Sequence, residues 1–180
     1  MNMTHDSLPF EHIYNLGSLG RAGDEVVVTA RGDELQRIAD WAEVRRVESF
    51  SATVSLQKLS AARFTYDADM RAEIVQDCVV TLEPVRSLLE RKIHRELHLT
   101  ETRRPPADSD VLVDPVADED DVLEEISNLH YDLAGPLLEE LILAIDPYPR
   151  APGVAFSPPP DPGGQPESPF AVLKNLKKPG

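Results

Sequence analysis

Residues 62–80 read ARFTYDADMRAEIVQDCVV, with apolar side chains recurring at every second position. Ala62, Phe64, Tyr66, Ala68, Met70, Ala72, Ile74, Cys78 and Val80 share one phase, interrupted only by Gln76. Arg63, Thr65, Asp67, Asp69, Arg71, Glu73 and Asp77 share the other, with Val75 and Val79 as exceptions. A helix would scatter this pattern around its circumference, whereas a strand sends it to two opposite faces. One apolar and one charged face call for an antiparallel sheet with one side wet. At roughly 3.3 Å per residue the stretch would reach about 60 Å when fully extended. Strands usually run only ~5–6 residues, so the sheet must curl or the strand must bend at a bulge.

The neighbouring segments extend the same sheet. In FSATVSL, Phe50, Ala52, Val54 and Leu56 face one way and Ser51, Thr53 and Ser55 the other. Residues 85–99 fit two periods, since Leu89, Ile93 and Leu97 are four apart. Val85, Leu89, Ile93, Leu97 and Leu99 nevertheless share one alternating phase, and Leu88 is the only apolar residue on the other. That count predicts a strand paired with 62–80, with Leu82, Glu83 and Pro84 making the turn. Upstream, LPFEHIYNLG and DEVVVTA read as two short strands. RGDELQRIADWAEVRRV reads as a helix capped by Asp33, with Leu35, Ile38, Ala39 and Ala42 on its apolar stripe and Trp41 at its edge. ISNLHYDLAGPLLEELILAIDPYPR reads as a brief strand and then a helix near 133–145. Asp132 is its candidate cap, Pro136 lies in its first turn, and Leu137, Leu138, Leu141 and Ile145 form its stripe. Asp146-Pro147 ends it. The expected class is α+β: a curved, mostly antiparallel sheet with one helix in the N-terminal half and one near 133–145.

From Ala151 the composition changes. Eight prolines and four glycines fall within 151–180, which predicts a tail without a packed core. We therefore divide the chain into a domain at 1–150 and a Pro/Gly-rich tail at 151–180. The tail ends in an expected amphipathic helix over 169–178. Pro169, Phe170, Leu173, Leu176 and Lys177 would be its docking residues, either on a partner or back on its own domain.

Charge is unevenly spread. The chain carries a net −14, a field that repels phosphate backbones and favours basic partners. Residues 107–125 contain nine acids and no base, within an acidic loop over 100–125, while 86–104 hold six Arg or Lys against three Glu. The basic run offers Arg86, Arg91, Lys92 and Arg95 as candidate RNA contacts. Such runs also serve as plain solvated faces. No apolar run approaches the ~20 residues that span a bilayer. The first residues lack a basic segment followed by an apolar one, so no secretory signal is expected. One cysteine cannot make an internal disulfide, which fits a reducing, cytoplasmic setting.

Candidate chemistry is sparse. Cys78 lies on the apolar phase with no local cation or helix N-terminus to activate it, and reads as a small hydrophobe. In HRELH (94–98), Arg95 occupies the slot where a zinc-protease helix needs its Glu. On a strand His94 and His98 would stand roughly 13 Å apart. The glycines of LGSLGRAGDE lead into a strand and form turns rather than a phosphate cradle. We expect no catalytic residue, no metal, no cofactor and no small-molecule substrate.

Four motifs then line up in order. QDCVVTLEPV (76–85), YDLAGPLLEELILAIDPYPR (131–150) and SPFAVLKNLK (168–177) resemble successive signatures of the YceD family, the large ribosomal RNA subunit accumulation proteins. ELQRIADWAEVRRVESFSATVSL (34–56) fits its alphaproteobacterial branch. The resemblance runs from about Phe10 to Lys178. It implies a non-catalytic role in synthesis, processing or stability of 23S rRNA and in large-subunit assembly. Implied partners are pre-50S particles, 23S rRNA and basic ribosomal proteins, with no membrane. Two features depart from the family pattern. Many members carry Cys-x-x-Cys where this chain has Cys78 and Thr81, and some have later cysteines that are missing here, so no zinc site carries over. Pro136 also interrupts a smoother helix start. A protein–protein adaptor that never touches RNA is the rival reading, and an enzyme acting through Cys78 a remote third.

Overall fold

The structure, a computed structural model, describes residues 8–100 and 123–155. Its elements are β1 (Ile13–Asn15), a 3-10 turn at Leu16–Ser18, β2 (Asp24–Thr29), α1 (Asp33–Trp41), β3 (Arg46–Lys58), β4 (Arg63–Asp77), β5 (Pro84–Leu99), β6 (Leu123–Ile126), β7 (His130–Asp132) and α2 (Ala134–Ala144). Five strands form one open sheet in the order β2-β3-β4-β5-β6. Its first four strands pair antiparallel, and β6 joins β5 in parallel. β1 and β7 make a separate antiparallel pair. The expected α+β class and mostly antiparallel sheet hold.

The alternation of 62–80 becomes β4, the centre of the sheet. Phe64, Tyr66, Ala68, Met70, Ala72 and Ile74 are buried along one face, and the charged phase meets solvent. The expected pairing with the basic run is also found, from Arg63 opposite His98 to Asp77 opposite Pro84. β4 itself runs from Arg63 to Asp77 without a bulge; the register shift lies in its neighbour β3, between Val47 and Ser49. Both helices cover the apolar face. Ile38 and Ala39 from α1, and Leu137, Leu138 and Leu141 from α2, enter one core with Phe50, Phe64 and Tyr66. Each fully buried Ile, Leu or Phe among them stabilises the fold by roughly 1.5–3 kcal/mol.

Several local expectations need correction. β4 stops at Asp77, and the reversal comprises Cys78–Glu83 rather than 82–84. Leu82 N donates to Cys78 O at 2.9 Å with Leu82 in the left-handed region (φ 59°), and Cys78 N donates to Glu83 O at 2.8 Å. Pro84 instead opens β5 as its first residue, where the missing N–H breaks no ladder. The cap of α1 is Gly32 (φ 53°), not Asp33, which is already helical. No side chain caps this end; the Glu34 carboxylate accepts from Arg31 N at 2.8 Å and fastens the residue before the cap. Asp132 does serve α2, from one residue outside the cap. Its Oδ1 accepts from Ala134 N (3.0 Å) and His12 N (2.7 Å), tying the N-terminal segment to the helix entry. The single brief strand expected before α2 is two, β6 and β7, in different sheets.

The acidic run over 107–122 and the amphipathic segment 169–178 lie outside the described residues.

Candidate functional site

Because β5 alternates, its four candidate cations separate onto two faces. Arg86 and Lys92 occupy the wet phase; Arg91 and Arg95 occupy the inner phase, beside α2. Arg95 is the most enclosed, with 17% of its side chain exposed. Its guanidinium donates to Glu124 of β6 at 3.1 Å and to Glu139 of α2 at 2.5 Å. Burial opposes its charge, yet Glu139 and Glu124 outweigh that and raise its pKa. The Tyr131 hydroxyl donates to the same Glu124 carboxylate at 2.8 Å, and its ring stands edge-on to Tyr66 at 6.1 Å. Burial, then the Glu124 contact, push the Tyr131 phenol above its ordinary range. Arg91 reaches Glu140 of α2 at 3.7 Å. Together Arg91 and Arg95 clamp α2 to the strand.

The two outer cations are exposed and also paired. Arg86 meets Glu48 at 3.1 Å with 73% of its side chain exposed; Lys92 meets Asp69 at 2.8 Å with 88% exposed. Asp69 raises the Lys92 pKa by its hydrogen bond. Further cross-strand pairs line the same face: Arg71–Glu90 at 3.6 Å, His94–Asp67 at 2.6 Å, and Arg63–Glu96. Ser51, Thr53 and Ser55 run beside them on β3. A shallow depression of about 290 Å³ lies among Glu25, Thr53, Ser55, Asp67, Asp69 and Lys92. No described helix covers this face. Carboxylates outnumber Arg and Lys on it, so it is a charge ladder rather than a basic patch. The four residues expected to meet RNA are thus not brought onto one surface.

Cys78 is fully buried, as its phase implied. Its surroundings differ from a plain apolar site. The Thr81 hydroxyl, the Ala151 amide (3.4 Å) and the Thr81 and Val80 amides all aim hydrogen bonds at Sγ. Thr81 first, then these amides, bring the thiol pKa down to about 7 against the opposing effect of burial. The local turn supplies most donors, but Ala151 comes from 73 residues away, which no local reading could find. Gln76, the interruption in the apolar phase, has a related job. Its Nε2 donates to Asp146 O at 2.8 Å, and Val79 N donates to Pro149 O at 2.9 Å. The Cys78 turn is therefore sewn to the segment that follows α2. Val79, Leu82 and Tyr148 stay exposed around that seam.

His94 and His98 both lie on the wet phase of β5, opposite Asp67 and Arg63. Among the described residues no group of three or more His, Cys, Asp or Glu side chains is placed to hold a metal ion. No described helix is long and apolar enough to cross a membrane. Pro169, Phe170, Leu173, Leu176 and Lys177 lie outside the described residues.

A family model described as "Large ribosomal RNA subunit accumulation protein YceD" matches residues 66–177. That span takes in most of β4, the Cys78 turn, β5, α2 and the tail, and omits β2, α1 and β3. No curated protein and no solved structure matches the chain.

Proposed function

The chain belongs to the YceD family, and from that membership we propose that it is a cytoplasmic, non-catalytic factor for synthesis, processing or stability of 23S rRNA during large-subunit assembly. The family match carries this reading, because it spans the β4–β5–α2 unit that holds every described candidate residue. A binding role suits a molecule whose described surface is a ladder of paired charges. Contact with pre-50S particles would use Arg86 and Lys92, the two candidate cations on the wet face of the sheet, together with the tail residues Pro169, Phe170, Leu173, Leu176 and Lys177. Arg91 and Arg95 would act indirectly, by holding α2 in place.

One observation favours the adaptor version, in which the partners are basic ribosomal proteins alone. Each cation proposed to meet RNA already has a carboxylate partner. Phosphate would have to displace those acids against the net −14 charge. Deleting the gene should lower 23S rRNA relative to 16S, and the protein should co-sediment with large-subunit precursors. Normal 23S levels and no co-sedimentation would remove the proposal. Co-sedimentation that survives Arg86→Gln with Lys92→Gln would select the adaptor version.

A further inference from the structure

Among the described residues, no strand pairs with the edge of β5 that faces away from β4 between Pro84 and Lys92. β6 covers only Glu96–Leu99, and no other described strand pairs there. Two hydrogen bonds fix which backbone groups this edge presents. Leu99 N donates to Ala62 O on the β4 side, and Thr100 N donates to Ile126 O on the β6 side. Backbone direction alternates residue by residue along a strand. Arg86, Leu88, Glu90 and Lys92 therefore turn their N–H and C=O groups toward that edge. Their side chains share the wet face.

Edges of this length invite pairing unless charge or proline guards them. Here the charges are self-complementary about one residue. Leu88 is the only apolar side chain on its phase and is 49% exposed. Arg86 precedes it by two positions and Glu90 follows by two. In an antiparallel pairing of two copies centred on Leu88, each Leu88 meets its equivalent. Arg86 then faces the partner's Glu90, and Glu90 faces the partner's Arg86. All of these positions point their backbone outward, so each would be a hydrogen-bonded pair. Within one copy Arg86 and Glu90 reach Glu48 and Arg71 through exposed contacts, which contribute little and can be shared.

We propose that this edge of β5 is a homodimer interface, in which two copies pair antiparallel about Leu88 and merge their sheets into one. This inference rests on the edge and its charge pattern, not on the ribosomal reading.

Sedimentation of the full chain over a wide concentration range tests it, with circular dichroism to confirm folding of each variant. The wild type should reach twice the chain mass. Arg86→Glu sets acids opposite each other and should weaken the dimer at least tenfold; Arg86→Glu with Glu90→Arg should recover most of that loss. Leu88→Lys should leave a folded monomer. Hydrogen exchange should show amides of Leu88 and Glu90 becoming protected as concentration rises. A monomer at every concentration would overturn the proposal, including one whose edge amides are already protected by another part of the chain or by an added peptide. So would a dimer indifferent to Arg86→Glu and Leu88→Lys, or protection that does not depend on concentration.

Discussion

Tyr66 carries a hydroxyl into the middle of the core, and the position is tolerable because the group has a partner. Its Oη donates to the Leu133 carbonyl at 2.9 Å, at the entry to α2, and the residue is fully buried. Burial pushes the phenol well above its usual range, so it stays neutral across ordinary pH. Tyr66→Phe would leave that carbonyl without its donor inside hydrocarbon. The expected loss is about 1–2 kcal/mol of unfolding free energy, read from the urea midpoint. An unchanged midpoint would refute the bond's importance. Cys78 presents the opposite case, a buried group eased toward its charged form. Hydrogen bonds from Thr81 and from backbone amides bring its pKa to about 7 from an ordinary 9.0. At low pH the thiol is protonated in both folded and unfolded chains and adds nothing. As pH rises from about 7 to about 9, only the folded chain loses the proton, so stability should rise there relative to Cys78→Ala. Above that window the added stability is fully present. Parallel urea titrations of the two proteins at stepped pH check the sign. A constant difference would mean the amides do not hold a thiolate.

At the scale of elements, β4 and β5 were legible because their signals are local. Period-two alternation in 62–80 needs no knowledge of the partner, and the phase of Val85, Leu89, Ile93, Leu97 and Leu99 placed the second strand beside it. The same phase contained a signal left unused. Arg91 and Arg95 have odd numbers, like the buried leucines, and so could not share a face with Arg86 and Lys92. β6 and β7 were harder, being four and three residues long. β7 pairs with β1 across more than a hundred residues, from Ile13 opposite Asp132, and such pairing leaves no periodic trace. Val75 broke the charged phase because it is 2% exposed, flanked in its row by Arg46 and Arg86, whose aliphatic stems can cover it. Parity also yields a mutational contrast within one strand. Arg95→Ala removes the cation between Glu124 and Glu139 and should cost about 1–3 kcal/mol. Arg86→Ala removes an exposed pair and should change stability by less than about 0.5 kcal/mol. Thermal or urea unfolding of both variants decides whether Arg95 is a fastening of α2 or a surface contact. Equal effects would contradict the split between the two faces.

For the molecule as a whole, charge argues about how an rRNA-linked factor can touch its target. A net −14 chain approaches a polyphosphate against repulsion, and among the described residues the cations of β5 are already engaged by carboxylates. Binding driven by many phosphate contacts would show a steep salt dependence, near −0.9 in log K per log salt for each phosphate neutralised on a duplex and about −0.7 on a single strand. Arg86 and Lys92 are the candidate cations of β5 on the wet face, which limits contact there to about two phosphates. Affinity for 23S fragments should therefore fall with a slope no steeper than about −2, and Arg86→Gln with Lys92→Gln should abolish most of it. Arg91→Gln should leave that slope where it was, since its side chain faces α2. Retention on large-subunit precursors, by contrast, should change little with salt if basic proteins meet the molecule through apolar and hydrogen-bonded contacts as well as charge. A slope of about −5 or steeper would mean that phosphate displaces the carboxylate ladder after all, and that the wet face of the sheet, rather than its tail, is where the ribosomal RNA lies.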